Sequence, residues 1–315
     1  MIEIEIANVD DGKKVHKWLR LLLPGMPLSG VHKFIRTGRI KVNGKRAKRD
    51  TILQSGDKVR LFIADEDYAA LIKPQKEKFA GVAHGIDVRY EDDEFVIVNK
   101  RAGVLVHAAD GDYAATLQAQ VEAYLYHAEP KTEGQAFSPS PVHRLDRNTT
   151  GLVIFAKTSR SAREAGALFQ TGAIRKDYLA LVNGIVRSPG SVEAALARVN
   201  DDVTRVDASG KASATRYWPI ASANGTSLLL IRLDTGRTHQ IRAHMSHIHH
   251  PLIGDVKYGA PRKAGSTFYL HAAHLDIQSA IHVTAPLPQR FRRHLAALGY
   301  DLSTLDAKWD KLFDV

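Results

Sequence analysis

The chain opens on a period-two alternation, Ile2, Ile4 and Ile6 against Glu3 and Glu5, which predicts a short strand. After a turn at Asp10-Asp11-Gly12, Val15, Trp18, Leu19 and Leu22 fall at i, i+3, i+4 and i+7, one apolar face of a helix that Pro24 and Gly25 end. Ser29 is placed to cap a second helix, with Val31, Phe34 and Ile35 inward and Gly38 as its left-handed stop. Residues Arg39 to Arg46 then alternate apolar with basic around Asn43-Gly44, the pattern of a tight hairpin. From Asp67 to Ile86 the chain is polar and Lys-rich around Pro74 and has no period, so it reads as a linker.

Order resumes with strands at Asp87 to Tyr90 and Phe95 to Val98, and a helix over Thr116 to Leu125 with Leu117, Val121 and Leu125 at helical spacing. A loop over Lys131 to Pro141 leads to His143-Arg144-Leu145-Asp146-Arg147 and then to a buried-strand run, Leu152 to Ala156. Ser159 is placed to cap a helix with Ala165, Leu168 and Phe169 inward and a stop at Gly172. Strands follow at Arg175 to Asn183, Ser227 to Leu233 and Phe268 to Ala272, with hairpins between residues 190 and 215. Ile241, Met245 and Ile248 mark one face of a helix on which His239 and Arg242, three apart, share another. A last amphipathic helix carries Phe291, Leu295 and Leu298.

Helices and strands interleave without a regular βαβ period, which predicts an α+β fold. The expected plan is a small helix-helix-hairpin module at 1–66, a linker at 67–86, and a larger domain at 87–315 on a mixed, largely antiparallel sheet with flanking helices. A length of 315 residues accommodates both. The formal net charge of +10 points to a polyanionic partner, nucleic acid before a membrane surface. Charge is also concentrated: eight Lys or Arg and no acid lie between Lys33 and Arg49. Lys33, Arg36, Arg39, Lys41, Lys45 and Arg46 sit on one helix and its adjoining hairpin, so a phosphate-binding face is favoured over an ordinary solvated one.

The absence of cysteine excludes disulfides, Cys-containing zinc sites and a thiol nucleophile. With no signal peptide and no membrane-spanning run, a cytoplasmic location is expected. His239, His244, His247, His249 and His250 invite a metal reading with Asp255, but no His-x-x-x-His with an adjacent Glu occurs, and no metal is expected. There is no Gly-x-Ser-x-Gly elbow and no phosphate-cradling Gly-rich loop. Asp146 remains, flanked by Arg144 and Arg147 at the end of a loop and just ahead of a buried strand. Two readings stay open for it, a carboxylate pinning a loop and a catalytic group held charged.

The first module, with its Gly38, Asn43-Gly44 and Gly56-Asp57 landmarks over residues 12–65, resembles the small RNA-binding module named after ribosomal small-subunit protein S-four. His143-Arg144-Leu145-Asp146 with Thr150-Gly151-Leu152, Lys176-x-Tyr178, and Gly236-Arg237-Thr238-His239-Gln240-Ile241-Arg242 resemble successive motifs of the RluA-type pseudouridine synthases. Asn99-Lys100 with Gly103, and Leu270-His271-Ala272, resemble two more, so the likeness runs from about residue 88 to 298. This chain has Arg101 where the family usually has Pro, and Asn148 and Thr150 where it usually has an acidic residue and Ser.

The resemblance implies isomerisation of uridine to pseudouridine in structured RNA, with no cofactor and no obligate protein partner. Large-subunit (23S) ribosomal RNA is implied over transfer RNA, because large-subunit members commonly carry the appended module. Asp146 is the implied nucleophile, at the ribose carbon or at the pyrimidine ring. Arg242 is its implied ion-pair partner, and Tyr178 the side chain packing on the base and helping to remove the proton from carbon five. Arg144, Lys176, Arg237 and His239 are expected on the RNA-binding side. The competing reading is a non-catalytic RNA-binding or ribosome-assembly factor.

Overall fold

The alternating start of the chain forms β1 (Ile2–Glu5), and the first two apolar faces form α1 (Val15–Leu22) and α2 (Leu28–Arg36). This is a computed structural model, and it describes residues 1–72, 79, 81–108, 113–128, 134–200, 203–261 and 267–314. Pro74 of the expected linker and residues 131–133 of the expected loop lie outside the described residues. The described chain divides into two compact units. One holds Met1–Ile97, Val106–His143 and Ile154–Ala167; the other holds Val98–Leu105, Arg144–Val153 and Leu168–Val315.

In the first unit β2 (Ile40–Val42) and β3 (Lys45–Arg46) pair Val42 with Lys45 across Asn43 and Gly44, whose φ values of 49° and 80° make the left-handed two-residue turn. With β4 (Lys58–Leu61) they complete a four-stranded antiparallel sheet in the order β1-β4-β2-β3. Val15, Trp18, Leu19 and Leu22 of α1 and Val31 and Ile35 of α2 meet Ile4, Ile40, Val59 and Leu61 in one core, so each sequence period is spent on the same burial. Ser29 lies inside α2, and Pro27 occupies the position before it. Proline's fixed φ suits a helix start, and the helix begins without a side-chain cap. The beginning of the expected linker is helical, as α3 (Asp65–Leu71), with Asp65, Glu66 and Asp67 in its first turn where the helix dipole favours acids.

Next come β5 (Val88–Glu91), β6 (Phe95–Lys100), α4 (Leu117–Ala128), β7 (Ser140–Pro141), β8 (Thr150–Ala156) and α5 (Ser159–Gln170). The cap of α5 is Thr158 and not Ser159: the Thr158 hydroxyl accepts from the Ser161 N–H at 3.0 Å. The remaining strands are β9 (Ile174–Asn183), β10 (Gly190–Glu193), β11 (Leu196–Asn200), β12 (Val203–Val206), β13 (Ala214–Ala223) and β14 (Thr226–Leu233). Then α6 (Gln240–His247), β15 (Leu270–Ile277), β16 (Ile281–Thr284), α7 (Gln289–Ala297) and α8 (Leu302–Ala307) complete the chain.

In the second unit the sheet runs β10-β13-β14-β9-β15-β8, with β16 on β15. Its pairs are antiparallel except β15 with β8, which agrees with the expected mixed, largely antiparallel α+β sheet. Leu179 and Leu181 of β9 join Leu228 and Leu230 of β14 under Phe291 and Leu295 of α7 and Leu305 of α8. Strand alternation turns Lys176 and Tyr178 to the other face. Among the described residues no helix is long and apolar enough to cross a membrane.

Candidate active site

Asp146 lies in the loop before β8, and three interactions fix that loop. The Lys100 ammonium donates to the carbonyls of Arg101 at 3.1 Å, Val104 at 2.9 Å and Arg147 at 2.9 Å. The Gly103 N–H also donates to Arg147 O, and Thr149 N–H to Asp146 O. Burial pulls the Lys100 pKa down to about 7, against the opposing charge of Asp146. Three carbonyl acceptors use all three hydrogens of the charged form, so the cradle itself favours ammonium.

Just beyond, Gly151 has φ of 108° and passes so close to β15 that a Cβ there would lie 2.1 Å from Ala272 O. The parallel register pairs Thr150 with His271 and Gly151 with Ala272. His271 is fully buried; its Nε2–H donates to Ala285 O at 3.0 Å, and its bare Nδ1 accepts from the Thr150 hydroxyl at 2.9 Å. Burial pushes its pKa from 6.5 to about 4. The unfolded chain therefore takes up a proton that the folded one refuses between these values, and stability falls as pH falls through that window. Unfolding midpoints in urea should drop between pH 7 and pH 4, with a full contribution from this residue of about 3 kcal/mol. A His271→Gln chain should lose most of that slope; an identical slope in the variant would refute the assignment.

The Asp146 carboxylate is paired across the fold, not by its sequence neighbours. Arg242 Nη1 donates to Asp146 Oδ2 at 3.1 Å, with the two side chains 6% and 21% exposed. His239 Nε2 stands 3.7 Å from the same oxygen. Arg144 and Arg147 are exposed, and neither makes an ion pair with Asp146 among the described residues. The loop turns the long side chains of these flanking arginines to solvent, and α6 supplies the cation, Arg242.

Sequence reasoning missed the groups that surround Arg242. Asp255 accepts from Arg242 Nε at 2.6 Å and Nη2 at 2.9 Å. The rings of Tyr258 and Phe268 lie 4.6 Å and 4.5 Å from the guanidinium carbon. Burial works against the Arg242 charge, but the bonds to Asp255 and the fields of both aspartates outweigh it and raise the pKa. The Tyr258 hydroxyl meets His239 Nδ1 at 2.9 Å. His239 itself precedes α6 in the left-handed conformation, with φ of 55°. Burial lowers its pKa in spite of Asp146 and Asp255. Asp255 was singled out in the sequence only as a possible metal ligand beside the histidines, and Tyr258 only as a phenol between Asp255 and Gly259.

Tyr178 is 5% exposed on β9, and its hydroxyl has no hydrogen-bond partner among the described residues. Burial, then the negative charges of Asp146 and Asp177, push its hydroxyl well above the ordinary phenol value. Its neighbour Asp177 turns to the opposite face, where Arg232 Nε binds it at 2.7 Å and His274 Nδ1 at 3.0 Å. Lys176 shares the Tyr178 face and lies 4.7 Å from the Phe169 ring centre; burial lowers its pKa to about 8. Arg237 is exposed beside the site, its Nε donating to Ala212 O at 3.2 Å.

The other expected RNA contacts belong to the first unit. Lys33, Arg36, Arg39, Lys45 and Arg46 are exposed and Lys41 is half-buried. Arg46 donates to the Arg36 carbonyl, Arg39 lies over Phe34 and Lys41 over Phe62, and none of the six has an acidic partner among the described residues. The histidines do not converge as a cluster: His244 is held by Thr215 and Ala194 O, His250 by Asn183 O, and His247 and His249 are exposed.

Comparison with known proteins bears on this arrangement. The family model described as RNA pseudouridylate synthase matches residues 94–247. Ribosomal large subunit pseudouridine synthase D of Zymomonas mobilis is 40% identical over 205 residues, which are 60% of this chain and 64% of that protein. Ribosomal large subunit pseudouridine synthase C of Vibrio parahaemolyticus is 31% identical over 94% of this chain and 97% of its own length. Synthase D of Haemophilus influenzae is 30% identical over 95% of each. Among solved structures, human RNA pseudouridylate synthase domain containing 1 superposes with a TM-score of 0.55 at 26% identity, covering 75% of this chain and 96% of that one. Human RNA pseudouridylate synthase domain containing 4 shares the fold, with a TM-score of 0.60 at 22% identity over 71% of this chain and 98% of that one. With RluA-type motifs in order along it and relatives aligned over almost its whole length, the chain belongs to the RNA pseudouridylate synthase family.

Proposed function

We propose that this enzyme isomerises uridine to pseudouridine in large-subunit (23S) ribosomal RNA in the cytoplasm, with Asp146 as nucleophile and no cofactor. The observation that carries the reading is the Asp146 carboxylate, 21% exposed on a braced loop and ion-paired at 3.1 Å to an almost wholly buried Arg242. Such a carboxylate is reachable and oriented. The reaction cuts the bond from the base nitrogen to the ribose, turns the base and rejoins it through carbon five. Attack by Asp146 on the ribose carbon or on the pyrimidine ring starts either version of that sequence.

Tyr178 shares this site as a protonated phenol, which suits packing on the base and donating a hydrogen bond in the resting state. As acceptor of the carbon-five proton it would have to pass on its own proton in the same step. Arg144, Lys176, Arg237 and His239 are proposed to bind the RNA around the target. Residues 1–66 are proposed as an S-four-type module whose Lys33, Arg36, Arg39, Lys41, Lys45 and Arg46 grip phosphates. A uridine inside folded RNA must leave its stack to reach Asp146, at a cost of roughly a few kcal/mol that this basic surface offsets.

The substrate names of the relatives support the choice of RNA: both synthase C and synthase D are called ribosomal large subunit enzymes. Pseudouridine mapping of total RNA from cells with and without this protein tests it. Specific sites should vanish from large-subunit ribosomal RNA and return on re-expression. Loss confined to transfer RNA would overturn the substrate, and an unchanged map would overturn the activity.

A further inference from the structure

Two side chains beyond the residues matched by the family model reach the charge pair from a single turn. Asp255 and Tyr258 stand at the two ends of the 3-10 segment that follows α6. Asp255, 2% exposed, occupies Arg242 Nε and Nη2. An unoccupied guanidinium fork would take a carboxylate with two parallel bonds. Here the fork is already filled, so Asp146 receives one end-on bond, from Nη1 to Oδ2. Its Oδ1 accepts no hydrogen bond among the described residues. An oxygen free of donors is the better nucleophile, because a lone pair tied up by two strong hydrogen bonds is less available for attack.

Tyr258 acts on the other partner. Its hydroxyl oxygen accepts from Thr204 N–H at 2.9 Å, and in the tautomer this inference adopts its own hydrogen goes to His239 Nδ1, also at 2.9 Å. The proton of a neutral His239 is then on Nε2, the nitrogen that faces Asp146 Oδ2. The charged groups acting on this ring are Asp146, Arg242, Asp255 and Lys257, together with the Tyr258 hydroxyl.

We propose that the Asp255–Tyr258 turn is the positioning element of the reaction: Asp255 reserves the fork of Arg242 so that one oxygen of Asp146 stays free, and Tyr258 holds His239 as the tautomer that presents an N–H to the nucleophile. The inference rests on the reading of Asp146 as nucleophile. Both residues act through others, so their signature is on turnover and its pH dependence.

The test uses the full-length protein and an in vitro transcript of an RNA in which the wild type makes pseudouridine, with Asp255→Asn, Tyr258→Phe and Asp146→Asn side by side. Asp255→Asn should lower kcat by about 10- to 100-fold with KM within about twofold, as expected for a misplaced reacting group. Tyr258→Phe removes one oxygen and keeps the ring against Arg242. It should lower kcat by about 5- to 10-fold and move the acid limb of the kcat profile to higher pH, because His239 without its hydroxyl donor takes a proton more easily. If Asp255→Asn does not fold, the shift of that limb in Tyr258→Phe decides the matter. Unchanged kcat and an unmoved acid limb in Tyr258→Phe, with Asp146→Asn inactive, would overturn the inference. Turnover by Asp146→Asn would instead overturn the nucleophile on which it stands.

Discussion

An Asp146→Asn chain is expected to make no detectable pseudouridine while it binds RNA within about threefold of the wild type and unfolds at nearly the same urea concentration. The amide fills the same volume but lacks the charge and the nucleophilic lone pairs, and removing a nucleophile costs at least ~10⁴-fold in turnover. Stability should survive because Arg242 keeps both bonds to Asp255, so no buried cation is stranded. The loop should survive because its braces, Lys100 on Arg147 O and Thr149 N–H on Asp146 O, involve backbone carbonyls and not the altered side chain. Single-turnover assays with the purified variant, set beside RNA titration, separate the two effects. Turnover within 100-fold of the wild type would remove Asp146 from the chemistry.

Gly151→Ala should be the most damaging small substitution for folding in the second unit. The added Cβ would lie 2.1 Å from Ala272 O and 2.6 Å from Ala272 N, and φ of 108° is strained for any L side chain. Backbone cannot swing aside as a flexible side chain does. Neither neighbour has room to move, since Leu152 to Ala156 on one strand and Ala273 on the other are fully buried. A loss of at least ~3 kcal/mol is expected, from local strain together with displaced packing. Urea unfolding measures it. Gly44→Ala is the control: it shares a positive φ of 80°, but its Cβ would meet nothing within 4 Å, so only the conformational penalty of about 1 kcal/mol should appear. Equal effects at the two positions would contradict the close approach of β8 and β15.

The elements that were legible in the sequence are those whose information is local. The α1 stripe of Val15, Trp18, Leu19 and Leu22 is buried on one core, and Asn43-Gly44 makes the turn its chemistry demands. Helix starts were read one or two residues away from their positions, at Ser29 and Ser159, because any small polar residue near a helix looks like a cap until backbone geometry selects one. The short α8, at Leu302–Ala307, carried too few residues to display a period. For the site, the ordered motifs brought Asp146, Tyr178 and Arg242 together by resemblance alone. Chain neighbours alone would not have found that cation: Arg144 and Arg147 flank Asp146 but are exposed, since adjacency along a loop says nothing of direction. The roles of Asp255, named only for a metal, and of Tyr258 were illegible because their partners, Arg242 and His239, lie 13 and 19 residues away with no intervening period. Relatives that are named as enzymes favour the catalytic reading over a non-catalytic assembly role.

The wide spacing of the site residues has a consequence in time. Asp146 and Arg242 are 96 residues apart, and Lys100 and Arg147 are 47 apart. Contacts between distant segments close only after the entropy of the loop between them has been lost, so they belong to the late part of folding. During synthesis from the N-terminus Asp146 emerges long before Arg242, and the basic stretch from Lys33 to Arg49 emerges before both. On the proposed roles, a growing chain gains the surface that holds RNA before it gains the site that alters it, and the ionic bond at Asp146 marks the moment at which the one capacity acquires the other.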